Sequence, residues 1–268
     1  MKCFSILFSI FLLAFAKSYA DLDPELNNIS LPTEYTPEPL FVSLGSSCEV
    51  THQLRHLELR VAAFPLDWVL SLNNSQVIRL LEEDFLYFND EDHLSSYTTV
   101  LLNTRYCLVF PHEGNWEAPF YSETWENFKC KSQRRVDRFR DLRSYRGKVF
   151  FIRAACPNAE NPDAVYTDKD NLYITDDYSR LLYQTLKSKF PDLDFTLIVM
   201  NFFNEDAVCI RDISDDIVDM HYNPYFDINP KLDLAKRSFL ELLQNFGFSE
   251  SQTFRNLARL DIDQTAKP

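Results

Sequence analysis

The chain has 268 residues, 46% of them apolar and 25% charged, the composition of an ordinary globular protein rather than a disordered or fibrous one. Four glycines and 13 prolines exclude collagen-like and low-complexity arrangements. A net charge of −13 repels polyanions at long range, which argues against non-specific binding of nucleic acid or anionic lipid.

Residues 1–20 read MKCFSILFSIFLLAFAKSYA. Lys2 supplies a positive start, Phe4 to Ala16 form an apolar run, and Ser18 and Ala20 stand as small residues before a cleavage point. This is the layout of a secretory signal peptide, with an apolar run shorter than the ~20 residues of a spanning helix. It implies a secreted or periplasmic protein, a mature chain starting near Asp21 and no stable membrane span after cleavage. Residues 21–39 hold Pro24, Pro32, Pro37 and Pro39 and read as an extended linker. Residues 40–268 read as a single domain of catalytic type. Beyond residue 20 lie Cys48, Cys107, Cys130, Cys156 and Cys209; an odd number leaves at least one thiol outside intramolecular pairs. The absence of a C-x-x-C phrase argues against a cysteine zinc site.

The patterning then predicts a strand at Leu40–Leu44, stopped by Gly45, and a helix over Ser47–Leu57 with Val50, Leu54 and Leu57 on one face. A second helix is expected over Gln76–Leu86 and a strand over Tyr106–Phe110. A basic helix follows at Lys131–Leu142, then a strand at Lys148–Arg153. A helix over Tyr178–Lys189, closed by Pro191, precedes the most apolar strand, Asp194–Met200, expected at the centre of the sheet. A last helix is expected over Leu232–Phe246, stopped by Gly247. Strands separated by helices predict an α/β fold, with a central mixed or mostly parallel sheet and helices on both faces.

The chemistry concentrates at Ser43-Leu44-Gly45-Ser46-Ser47-Cys48. Gly45 permits a sharp strand-to-helix turn. Ser46 followed by Glu49 matches a capping box, which makes Ser46 the expected N-cap. Cys48 then stands at the helix opening, where unpaired N–H groups and the dipole favour a thiolate. The same N–H groups, near Ser47 and Cys48, are candidate oxyanion donors, and Gly45, Ser46 and Ser47 form the expected oxyanion and nucleophile turn. The bland alternative is a small buried residue in a well-capped helix.

A nucleophile needs a base. Cys48, His52 and His56 repeat every four residues, but the outer two are roughly 12 Å apart along a helix, so no metal is expected there and no cofactor is implied. His112 ends a predicted strand, where it can face a helix opening. His221 lies near a predicted loop, and His93 stands in an acidic loop. Asp67, in Phe64-Pro65-Leu66-Asp67-Trp68, is expected to be partly buried and therefore partnered; it either orients a histidine or caps its own turn. Asn28-Ile29-Ser30 and Asn73-Asn74-Ser75 are glycosylation sequons.

Together, FVSLGSSCEVTHQLRHLELR, FPLDWVLS, EEDF, the strand with His112, the RVDRF helix and KVFFIR resemble a family of papain-like cysteine peptidases catalogued as a domain of unknown function. The similarity runs from about Phe41 to about Met200. It implies a papain-like fold, of which an α+β layout is the alternative arrangement. It also implies a nucleophile at Cys48, a base at His112 and an acid at Asp67. The family's histidine is usually followed by Asp-Phe; here Glu113 and Gly114 follow. Leu66 replaces the family's Phe, and no third triad member is placed securely, because in papain-like enzymes it follows the histidine.

Three functions are expected to compete. A secreted cysteine hydrolase would act on a peptide or other acyl substrate through Cys48 and His112, with Cys48 the thiol that iodoacetamide labels fastest. A serine esterase of the GDSL/SGNH type would use Ser46 or Ser47 with His221. A non-catalytic binding or effector protein would use the same scaffold, with the basic Lys131–Arg146 segment meeting either an anionic ligand or nearby acids. A His112 more than roughly 8 Å from Cys48 would favour this last reading.

Overall fold

Strands that are buried on both faces read as continuous apolar runs, and the KVFFIR and DFTLIVM runs of this chain pair side by side at the middle of its main sheet. The computed structural model describes residues 39–46, 48–56, 59–71, 73–97, 100–113, 122–155, 173–202 and 209–222. The expected signal peptide, the linker up to residue 38, Ser47, Cys156 and the helix at Leu232–Phe246 lie outside the described residues.

In chain order the elements are β1 (Leu40–Ser43), α1 (Glu49–His56), β2 (Leu70–Ser71), α2 (Asn74–Glu82), β3 (Leu94–Tyr97), β4 (Val100–Asn103) and β5 (Leu108–Phe110). There follow α3 (Ser122–Asp141), β6 (Val149–Ala154), α4 (Asp176–Lys189), β7 (Phe195–Phe202), β8 (Cys209–Ser214) and β9 (Ile217–Tyr222). The main sheet has the order β1-β6-β7-β9-β8. Its first four strands are parallel, and β8 pairs antiparallel with β9. The expected central strand is central, and the fold is α/β with a mixed sheet. A second, antiparallel sheet has the order β2-β5-β4-β3. The strand expected at Tyr106–Phe110 belongs to this second sheet.

Alternate residues of each central strand enter different cores, as a pleated strand requires. Phe41, Phe150, Ile152, Ile198 and Met200 meet Val50 and Leu54 of α1 on one face. Leu40, Val42, Phe151, Leu197 and Val199 face the other way, into a core shared with α2, α3, α4 and the small sheet. Helix α3 starts nine residues before the expected Lys131. Its buried Phe128, Ser132, Val136 and Phe139 recur at three- and four-residue spacing, so the amphipathic stripe extends well N-terminal of the basic run. Asn73 caps α2 by accepting from the Gln76 N–H at 3.1 Å.

Charged side chains tie the helices together on this side. Glu83 accepts from Arg79, Arg105 and the Tyr106 hydroxyl. Its carboxyl is held down to about 2, chiefly by the Arg105 hydrogen bond. Asp84, in the left-handed region at φ +50°, receives Lys189 of α4 and Arg140 of α3. Much of the basic segment is thereby engaged within the fold: Lys131 pairs with Glu113, Arg138 donates to the Ala63 carbonyl and Arg140 pairs with Asp84, while Lys129, Arg134 and Arg146 are exposed.

Candidate active site

The turn after β1 is assembled from hydroxyls. Gly45 has φ +76°, a conformation that L side chains seldom adopt. A Cβ there would come within 2.4 Å of Ser71 Oγ, so glycine is required on two counts. The Gly45 N–H donates to Ser43 Oγ at 3.1 Å, and the Ser46 N–H donates to Ser71 Oγ at 3.0 Å. Ser46 Oγ donates in turn to the Ala155 carbonyl at 2.8 Å. Arg153, 1% exposed on β6, underpins the turn. Its guanidinium donates to the Leu44 carbonyl (3.0 Å), to the hydroxyl and carbonyl of Ser71 (both 2.6 Å) and to Asn74 Oδ1 (2.8 Å).

Two expectations are corrected here. Ser46 is not the N-cap: it bridges to Leu70 and its hydroxyl is spent on Ala155. The first helical hydrogen bond runs from the His52 N–H to the Cys48 carbonyl at 2.9 Å, which makes Cys48 itself the residue that opens α1. The N–H groups of Gly45 and Ser46 are turn-builders engaged by hydroxyls, not oxyanion donors. Ser47 lies outside the described residues.

The same turn recruits the small sheet. The Ser71 N–H donates to the Ser46 carbonyl at 2.9 Å, docking β2 on the segment just before Cys48. β2 pairs with β5, Leu70 opposite Val109. Three residues past Val109, His112 reaches the helix opening. Its Nε2 lies 3.6 Å from Cys48 Sγ, hydrogen-bonding range for sulfur. Cys48 is 4% exposed and His112 partly exposed. Cys48 is buried, whereas Cys107 and Cys130 are exposed.

Trp68 packs edge-on against the imidazole, ring centroids 5.9 Å apart. Trp68 has φ +61°, and its neighbour Asp67 holds the loop in that shape. The Asp67 carboxylate accepts from Arg60 (Nε 3.0 Å, Nη2 2.9 Å), from the Phe64 N–H (3.0 Å) and from Thr51 Oγ1 (3.3 Å). Asp67 and Arg60 are both buried. Asp67 therefore anchors the Trp68 loop to α1 instead of hydrogen-bonding His112, and the capping reading of this residue is the one realised. On the other side of the base, Glu113 is clamped by Lys131 of α3. Burial pushes the His112 imidazole below its usual 6.5; Glu113 opposes this and Lys131 reinforces it.

His221 stands elsewhere. β9 is three strands from β1, about 14 Å at the usual ~4.8 Å spacing. Its Nε2 is 2.8 Å from Asp219 Oδ2. Asp219 is fully buried and is also held by Arg211 (2.7 Å) and Asn201 (2.9 Å). The esterase pairing of His221 with Ser46 is thus not formed. The residues that sequence reasoning missed are Ser71 and Arg153. An arginine ending an apolar strand run was a signal for Arg153; Ser71 carried none.

A family model described as "Putative papain-like cysteine peptidase" matches residues 39–205, a span that contains Cys48, His112, Asp67 and Arg153. The chain belongs to this family. The Asp219–His221 pair lies beyond the match. An uncharacterized protein, R408, of Acanthamoeba polyphaga mimivirus is 31% identical over 140 residues, covering 43% of this chain and 61% of the relative. The chain thus spans about three fifths of the length of that curated relative. No solved structure matches the chain.

Proposed function

We propose that this family member is a cysteine hydrolase acting on an amide or related acyl bond, and that it is exported by its N-terminal segment. The observation that carries the reading is the 3.6 Å approach of His112 Nε2 to the Cys48 sulfur, well inside the roughly 8 Å beyond which proton transfer is implausible. Burial, and after it the neighbouring Lys131 charge, favour the neutral imidazole over its cation, with Glu113 opposing; the neutral ring is the form that accepts a proton. As the sulfur bonds to the acyl carbon, its proton passes to Nε2. The same proton then goes to the leaving group as the acyl–amine bond breaks. Water, deprotonated by His112, cleaves the thioester and regenerates the thiol. The N–H groups of the first turn of α1 supply the oxyanion donors.

Cys48 is the better nucleophile candidate than Ser46, because the Ser46 hydroxyl is buried and donates to a carbonyl. The test is hydrolysis of a panel of peptide, ester and thioester substrates by the wild-type protein, Cys48→Ser and His112→Ala. Both variants are expected to lose at least about 10³-fold in turnover. Undiminished hydrolysis by Cys48→Ser would overturn the mechanism. N-terminal sequencing of protein secreted from a host that processes signal peptides should read from near Asp21; retention of Met1 would overturn the export reading.

A further inference from the structure

His112 lies two residues past the end of β5 and outside its ladder. What fixes it comes from the side. Trp68 meets one edge of the ring. The next residue, Glu113, closes a turn on the Phe110 carbonyl, and both of its carboxylate oxygens accept from Lys131 Nζ. The pair is largely buried, with side-chain exposures of 15% and 24%. Lys131 stands on α3, which is seated in the core through Phe128, Val136 and Phe139. A rigid helix therefore grips the residue adjoining the base.

We infer that Lys131 is a positioning residue for His112, acting through the Glu113 carboxylate. The inference rests on the Cys48–His112 reading. The ion pair restrains the segment after β5, and its two charges offset one another at the imidazole. Among the described residues, Cys48 from the β1–α1 turn, Glu113 from its own segment and Lys131 from α3 act on that ring. Arg135 and Arg134 also act on Lys131, and Glu113, Asp67, Arg60 and Arg134 act on Arg135. Without Lys131, the Glu113 charge is left to hold a proton on His112. Without the Glu113 charge, Lys131 opposes that proton unchecked. The two removals therefore push the base in opposite directions, which loss of a merely structural contact would not do.

The test is the pH profile of Cys48 alkylation by iodoacetamide in the full-length protein, read by peptide mass spectrometry, with thermal unfolding followed in parallel. In Lys131→Met the acid limb of the profile should move up by about one pH unit, and in Glu113→Gln it should move down. Lys131→Arg should restore the wild-type limb. Should Lys131→Met fail to fold, Glu113→Gln and Lys131→Arg carry the comparison. A limb that stays put in the variants, or shifts the same way in both removals, overturns the inference. If His112→Ala leaves the Cys48 profile unchanged, the nucleophile–base reading itself fails; if only the Lys131 and Glu113 variants are silent, the failure is confined to the clamp.

Discussion

The main sheet and the small sheet contribute one half of the candidate site each, and they hold their halves by different means. The main sheet delivers Cys48 from the end of an apolar, doubly covered strand through a turn pinned by neutral hydrogen bonds to Ser43, Ser71 and Ala155. The small sheet delivers His112 from a three-residue strand, with ion pairs flanking it: Asp67–Arg60 behind Trp68 and Glu113–Lys131 beside the ring. Backbone geometry and the guanidinium of Arg153, which does not titrate, place the nucleophile, whereas carboxylate ion pairs place the base. Nucleophile-side changes should therefore act on stability regardless of pH, and base-side changes should carry a pH signature.

Breaking the Asp67 anchor is the largest perturbation of stability expected. Asp67→Ala leaves the buried Arg60 guanidinium without its carboxylate, a loss of about 3–5 kcal/mol, read by urea unfolding. It also frees the loop that holds Trp68 against the imidazole, so activity should fall further than stability alone explains. Unchanged stability would mean that Arg60 finds another acceptor. On the nucleophile side, Arg153→Met strands the Leu44, Ser71 and Asn74 oxygens and should cost roughly 3 kcal/mol, independent of pH between 5 and 8. Gly45→Ala should cost about 1–3 kcal/mol from the positive φ and the clash with Ser71. The double variant Gly45→Ala with Ser71→Gly, which opens space for the Cβ, should recover part of that loss.

These assignments mark where the sequence could be read and where it could not. The strands of the main sheet core announce themselves because burial on both faces demands unbroken apolar runs, as in Phe150, Phe151 and Ile152. β3 and β4 do not, since SSYTTVLLN mixes polar and apolar residues over two short strands joined closely in sequence. β8 and β9 carry Arg211, Asp212 and Asp219, charges that suggest a loop until the partners that neutralise Asp219 are seen. Cys48 was legible from its place after a strand, and His112 from its place at a strand end. Asp67 was legible as buried, but not as the partner of Arg60, because that pairing depends on how the loop folds back over α1. Ser71 and Arg153 act only through contacts distant in sequence.

The smallest effect expected is the response to acid. The Glu83 carboxyl is lowered from 4.5 to about 2 by Arg105 and its other partners. A group whose folded value is depressed adds stability above its unfolded value and loses it as the pH falls through the folded one. Glu83 therefore supports the fold above pH 4.5, and its contribution declines between pH 4.5 and about 2. His112, also lowered, begins to subtract stability as the pH drops below about 6.5. Acid unfolding of Glu83→Gln should shrink the lower of these two phases, to which the likewise lowered Asp84 and Asp176 also contribute, and keep the upper; an undiminished lower phase would mean that the Arg105–Glu83 pairing contributes nothing to stability.

The coupling of Cys48 to His112 is tested most directly by the rate of Cys48 alkylation at neutral pH in the wild-type protein and in His112→Ala, with the exposed Cys107 and Cys130 as references in the same chain. Coupling predicts at least a tenfold drop at Cys48 in the variant, roughly the lower bound for removing a paired base, and no change at the two references. Equal Cys48 rates in the two proteins would contradict it.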